Sequence, residues 1–268
     1  MDNRPIGVLD SGLGGLTAVR ELNRLLPRER ILFFGDTANI PYGMKERDTI
    51  IRLAKNDIRF LLKRNVKLVI AACGTVSSNF PEEEIEELPV PFFGIIRPSA
   101  EAAVRATKNH RIGILGTSAT VKSGAFAKEV LKADPSLHII QQDCPLFVEL
   151  VENGRTSSDD RYVHEITQQY LNPLILDQCD TIILGCTHFP LLKDAISRCL
   201  APETVLIDSG KEIARSVYRY LTENEQLNGS GYYGVSYFVS GDADHFSRLA
   251  GNFLGQDLSG KVEKISIQ

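Results

Sequence analysis

The chain has 268 residues, 43% hydrophobic and 24% charged, with a formal net charge of −4. That length suits two modest domains or one large one, and the composition is ordinary for a globular protein. The slightly acidic balance gives no footprint for nucleic acid, and no apolar run approaches the roughly 20 residues that span a bilayer. Met1-Asp2-Asn3-Arg4-Pro5 lacks signal-peptide character, so a cytoplasmic location is expected.

Strand-like and helix-like segments alternate from the start. Residues 6–9 read as a buried strand, followed by the glycine-rich turn Asp10-Ser11-Gly12-Leu13-Gly14-Gly15. A helical pattern over 16–26 then places Leu16, Val19, Leu22 and Leu26 on one face. A second strand at 31–34 precedes the loop Thr37-Ala38-Asn39-Ile40-Pro41-Tyr42-Gly43 and a long helix within 45–65. Strand 67–72 ends at Cys73, Pro81 starts an acidic helix over 82–88, and 91–95 closes the half. Ser99 and Glu101 predict a helix N-terminus at Pro98-Ser99.

The second half repeats the plan. Ile112-Gly113-Ile114-Leu115-Gly116-Thr117 echoes Ile6-Gly7-Val8-Leu9-Asp10-Ser11, residues 139–143 echo 32–36, and Cys186 echoes Cys73. The offsets, 106, 107 and 113 residues, are nearly constant, which predicts a pseudo-duplicated pair of α/β domains. The tail reads as a helix at 211–221, a glycine-rich turn at 229–234, a strand at 235–240, a helix near 244–253 and a short strand at 262–267.

Five cysteines, Cys73, Cys144, Cys179, Cys186 and Cys199, are an odd and widely spaced set, which argues against a disulfide framework. Without a CxxC pair, Cys186-x-His188 is weak support for a metal site. Cys144, Cys179 and Cys199 read as small buried hydrophobes. Cys73 and Cys186 differ, because each ends an apolar, parallel-type strand, where α/β sheets place functional groups. Two facing thiols suit removal of a proton from one face of a carbon and its return on the other. A thiol, with an ordinary pKa of about 8.5, needs only a modest depression to act as base. The turn at 10–15 fails the dinucleotide fingerprint, since Thr17 occupies the third glycine position, and it lacks a Walker lysine. It reads instead as a helix N-terminus suited to a small carboxylate.

Six motifs in order carry a resemblance: Asp10-Ser11-Gly12, Gly35-Asp36-Thr37, Pro41-Tyr42-Gly43, Cys73-x-Thr75, Val151-Glu152-x-Gly154 and Gly185-Cys186-Thr187-His188-Phe189-Pro190. From residue 6 to about 208 the chain resembles the cofactor-independent aspartate/glutamate racemase family, its glutamate racemases in particular. The resemblance implies two doubly wound α/β domains with the active site in the cleft between them. Residues 1–97 plus 209–268 would form the first, carrying Cys73, and 98–208 the second, carrying Cys186. It implies an isomerase that interconverts L- and D-glutamate without pyridoxal phosphate or metal and supplies D-glutamate for peptidoglycan. Cys73 would deprotonate the D-enantiomer and Cys186 the L-enantiomer, with Asp10, His188 and Glu152 orienting or tuning the thiols. Substrate contacts would come from Asp10, Ser11, Pro41, Tyr42, Gly43, Gly74, Thr75, Thr117, Thr120, Thr187 and His188. Read alone, Thr117 and Thr120 equally suit capping of the next helix, Glu152 a solvated helix end, and Asp36 a support or a cap. The expected partner is the small-molecule substrate, with neither nucleic acid nor membrane, and a homodimer is left open.

The chain departs from the pattern at Gly74, where glutamate racemases carry Asn. The missing carboxamide removes a donor and an acceptor, worth about 1.5–3 kcal/mol against a charged group. On this reading Gly74→Asn should lower the KM for glutamate; the opposing outcome is a local structure adapted to glycine, in which Asn would clash or misplace Cys73. The departure also admits a racemase for aspartate or another acidic amino acid, and a weakly active regulatory homologue.

Overall fold

The computed structural model describes residues 1–266, so Ile267, the last residue of the predicted closing strand, lies outside the described residues. Two parallel sheets form the frame. The strands are β1 (Ile6–Asp10), β2 (Arg30–Gly35), β3 (Leu68–Ala71), β4 (Phe92–Gly94), β5 (Arg111–Gly116), β6 (His138–Asp143), β7 (Thr181–Leu184), β8 (Val205–Asp208), β9 (Gly234–Val239) and β10 (Val262–Lys264). The first sheet runs β10-β9-β2-β1-β3-β4 and the second β6-β5-β7-β8. The inner order of the first sheet, β2-β1-β3-β4, is thus repeated strand for strand in the second. This is the duplication that the sequence echoes predict. The tail strand β9 pairs with β2, extending the first sheet.

The central strands β1, β3 and β7 are buried along their whole length. That follows from helices on both faces of a parallel sheet, and it explains why these strands read as unbroken apolar runs. The helix Leu16–Leu25 buries Leu16, Val19 and Leu22, the predicted face. Helix Ser209–Glu223 packs on it and on helix Ile96–Ala106. Asp208 caps Ser209–Glu223, accepting from the Gly210 and Lys211 amides at 2.9 and 3.2 Å. The acidic helix Glu82–Glu86 has no buried residue, so its charges form a solvated face.

One helix start differs from the sequence expectation. Helix Ile96–Ala106 begins before Pro98, and Ser99 lies inside it, donating to the Ile95 carbonyl at 2.7 Å. Pro98 is tolerated because first-turn amides have no intrahelical acceptor to lose.

At the amino ends of the first sheet, Lys67 is fully buried and bound on three sides. Its ammonium donates to Glu29 at 2.7 Å and to the carbonyls of Asp2 and Gln226 at 3.0 and 2.8 Å. Glu29 in turn accepts from the Asn228 amide at 2.8 Å. This cluster pins the N-terminus and the chain leaving Ser209–Glu223 to the starts of β2 and β3. No helix among the described residues is long and apolar enough to cross a membrane.

Candidate active site

The carboxyl ends of β1 and β3 and those of β5 and β7 border one cavity of about 440 Å³. Cys73 and Cys186, each two residues beyond its strand, both line it. The short helix Gly74–Asn79 starts directly after Cys73, and the 3₁₀ turn Phe189–Leu192 follows Cys186.

The two thiols have different surroundings. Cys73 donates to the Ser11 hydroxyl at 3.6 Å. Burial, reinforced by the charge of Asp10, pushes its pKa up to about 12, despite help from the Val76 amide and Ser11. Burial therefore favours the protonated thiol at Cys73. Cys186 lies 3.6 Å from His188 Nδ1, and His188 Nε2 lies 2.6 Å from Glu152 Oε1. Burial acts to lower the His188 pKa, but the hydrogen bonds and negative charge of Cys186 and Glu152 raise it well above the usual histidine value. Burial opposes ionisation of Glu152 too, yet its bond to His188 leaves it below the ordinary glutamate range. Glu152 is thus bound to His188 rather than left as a solvated helix end.

Asp10 is fully buried, behind the residues that border the cavity. Its oxygens accept from the Gly12 amide at 2.9 Å and from Thr187 Oγ1 at 3.1 Å. Burial raises its pKa to about 6, while His188 and these two bonds hold it down. Glu152 crosses the other way, accepting from the Leu13 amide at 3.4 Å.

Thr75 and Thr117 line the cavity with their hydroxyls 3.0 Å apart. Thr117 also accepts from the Thr120 amide at 3.3 Å, so it caps helix Ser118–Ser123 and faces the cavity at once. Thr120 sits behind it, bonded to Thr117 and Ser78 at 3.0 and 3.4 Å. Ser11, Pro41, Tyr42, Gly43, Thr187 and His188 all border the cavity as expected. The Tyr42 hydroxyl, however, is committed to Asp36 at 2.5 Å, so Asp36 supports the loop. Sequence reading missed the lip formed by helix Pro145–Glu152, from which Pro145, Leu146, Val148 and Glu149 reach the cavity. The signal was present, because β6 repeats β2 and its exit loop therefore occupies the place of the 37–43 loop.

Glycines line the seam between the halves. A Cβ at Gly12 would stand 2.9 Å from Glu152 Oε1, one at Gly43 2.5 Å from Thr117 Cβ, and one at Gly14 2.7 Å from His188 Nδ1. At Gly74 it would meet the Gly185 carbonyl oxygen, well inside the 3.0 Å that real Cβ atoms essentially never breach. Close approach of two backbones, not a left-handed φ, requires glycine here. Gly74 is not among the residues bordering the cavity, and an Asn side chain there would first have to clear the Gly185 carbonyl, which is the clash that the sequence left open.

The remaining thiols fit small hydrophobes: Cys144 and Cys179 are buried and Cys199 is half-buried. Burial pushes Cys144 well up and Cys179 to about 12. Among the described residues, no group of three or more His, Cys, Asp or Glu side chains is arranged to hold a metal ion.

Two repeated α/β units thus bring one thiol each to a single cavity. The model of the Asp/Glu/hydantoin racemase family matches residues 6–217, and the chain belongs to that family. The glutamate racemase of Geobacter metallireducens is 39% identical over 266 residues, covering 99% of this chain and 97% of that one. Among solved structures, glutamate racemase isoform RacE1 of Bacillus anthracis aligns with a TM-score of 0.94 at 32% identity, over 99% of this chain and 98% of its own. The glutamate racemase of Francisella tularensis in complex with D-glutamate aligns with a TM-score of 0.91 at 33% identity, with the same coverage.

Proposed function

We propose that this protein is a glutamate racemase that interconverts L- and D-glutamate through Cys73 and Cys186, with no cofactor or metal. The observation that carries the reading is the pair of strand-end thiols on one cavity, one neutral and one beside a protonated histidine. The named relatives support glutamate as the substrate. In the L-to-D direction, Cys186 takes the α-proton as the Cα–H bond breaks and its S–H bond forms. The Cys73 S–H bond breaks as its proton reaches the opposite face of the carbanion. The free enzyme then returns its protons to the starting arrangement, or runs the reverse reaction from D-glutamate. Hydroxyls of Ser11, Thr75 and Thr117 and the loop at 41–43 are placed to hold the substrate carboxylates. Cytoplasmic supply of D-glutamate for peptidoglycan is the role that this activity serves.

The strand pairings support the domain division 1–97 plus 209–268 and 98–208, since β9 and β10 belong to the first sheet and β8 ends the second. The case for a different acidic substrate weakens, because Gly74 reshapes the seam rather than the cavity.

Circular-dichroism kinetics with L- and D-glutamate and with aspartate test the reading. Turnover of glutamate that Cys73→Ser or Cys186→Ser nearly abolishes is expected. Activity on aspartate alone, or a single mutant keeping most of its rate, refutes it. Dialysis against chelator and an absorbance scan for pyridoxal phosphate check the cofactor claim: activity lost and then restored by either addition would count against it.

A further inference from the structure

Helix Arg47–Leu62 carries one charged residue on its buried face. Its buried positions are Ile50, Leu53, Ala54, Asp57, Ile58, Phe60 and Leu61, and Asp57 is fully inaccessible. Among the described residues its only hydrogen-bonding neighbour is the Tyr42 hydroxyl, 3.2 Å from Oδ2, and none pairs with its Oδ1. An ionised carboxylate so enclosed would be expensive, since both oxygens need donors and the site supplies at most one.

The proton inventory resolves the arrangement. A tyrosine hydroxyl has one proton. Tyr42 lies 2.5 Å from Asp36 Oδ2 and 3.2 Å from Asp57 Oδ2, so the shorter contact takes that proton. Asp36 is an acceptor throughout: Ser240 donates to it at 2.6 Å and the Asn39 amide at 3.0 Å to each oxygen. The contact between Tyr42 and Asp57 is therefore a hydrogen bond only if Asp57 supplies the proton. Among the described residues, no salt bridge includes Asp36 or Asp57, so no cation offers another solution.

We infer that Asp57 is a positioning residue held as a neutral carboxylic acid, which donates to the Tyr42 hydroxyl and so fixes the wall of the cavity at Pro41, Tyr42 and Gly43. The chain runs Asp57 O–H to Tyr42 Oη, then Tyr42 O–H to Asp36. It joins helix Arg47–Leu62 to the end of β2 through the one side chain that borders the cavity. Burial, with the nearby charge of Asp36, raises the Asp57 pKa well above the usual range, in keeping with the neutral form. Asp57 touches no substrate; it acts through Tyr42. This inference rests on the reading that the cavity takes the substrate.

Two measurements test it on the full chain. Infrared difference spectra of protein with carbon-13-labelled aspartate should show, at neutral pH, the carbonyl stretch of a neutral carboxylic acid, which Asp57→Asn removes. Kinetically, Asp57→Leu should raise KM for both enantiomers about 5- to 10-fold, with kcat within about twofold. Asp57→Asn, whose amide can still donate to Tyr42, should keep KM within about twofold even if it lowers stability. Absence of the band, an unchanged KM in Asp57→Leu, or equal losses in Asn and Leu variants would overturn the inference. Should Asp57→Leu not fold, the band and Asp57→Asn still decide. The infrared result needs no turnover, so it separates failure of this inference from failure of the glutamate reading.

Discussion

Replacing Gly74 is the sharpest test of how the cavity is closed. The atom facing it is the carbonyl oxygen of Gly185, which belongs to backbone and cannot rotate away as a side chain would. To bring a new Cβ out to 3.0 Å, one wall of the seam must retreat by about 1 Å. Those walls are the residues that follow Cys73 and precede Cys186, so the retreat separates the thiols themselves. Overpacking of this kind costs about 1–3 kcal/mol, and a misplacement of about 1 Å costs up to about 100-fold in rate. Gly74→Ala should therefore lower kcat/KM for both enantiomers about 10- to 100-fold. Gly74→Asn should be no better than Ala, because the first atom added does the damage. Gly12→Ala provides the contrast: its Cβ meets the end of the Glu152 side chain at 2.9 Å, which can shift, so its loss should be smaller. The assay is circular-dichroism kinetics in both directions, beside thermal unfolding to separate misfolding from misalignment. A rise in kcat/KM for glutamate in Gly74→Asn would refute this reasoning and restore the idea of a missing substrate contact.

Lys67→Met should destabilise the protein by about 3–5 kcal/mol in urea unfolding, because it strands the buried Glu29 charge. Lys67→Met with Glu29→Leu should recover most of that, and additive losses would show that the pair is not coupled. Glu152→Gln removes the carboxylate that keeps His188 protonated, so the alkaline limb of kcat/KM should move to lower pH; an unmoved limb would exclude Glu152 from that role. Asp10 has a folded pKa raised from 3.8 to about 6, so its contribution to stability is full below pH 3.8 and is lost as pH rises through about 6. Asp10→Asn should thus gain stability relative to the parent between pH 4 and 7, by up to about 3 kcal/mol, and a pH-independent difference would contradict the burial argument.

Sequence carried the features that repeat or that obey a period. Apolar runs marked the strands, the echo of 6–11 in 112–117 marked the duplication, and the cysteines stood out because both close such runs. Asp57 was also within reach, since it falls in step with Ile50, Ala54, Ile58 and Leu61 on one helix face, where a carboxylate is out of place. What could not be read are contacts between the halves. Nothing local to Gly74 announces the Gly185 carbonyl, and nothing local to Asp10 announces Thr187. The commitment of the Tyr42 hydroxyl was hidden for a similar reason, because its neighbours Asp36 and Asp57 come from the residue just past β2 and from a helix that begins after it. Ser99 failed differently: the cap preference was sound, but Ile95 and Ile96 are drawn into the same turn and start the helix earlier.

The inter-half contacts bind the chemistry to closure. Asp10, beside Cys73, completes its hydrogen bonding on Thr187, the residue after Cys186. Glu152, the partner of His188, reaches back to the Leu13 amide in the first glycine-rich turn. Each acid that tunes one thiol therefore depends on a loop contributed by the other half. Parting the halves would strip Asp10 of Thr187 and Glu152 of Leu13 at the same time as it parts the thiols. A water-filled open cleft would relieve the burial that raises the Cys73 pKa. The glycines at 12, 14, 43 and 74 are the positions at which that closure is made sterically possible.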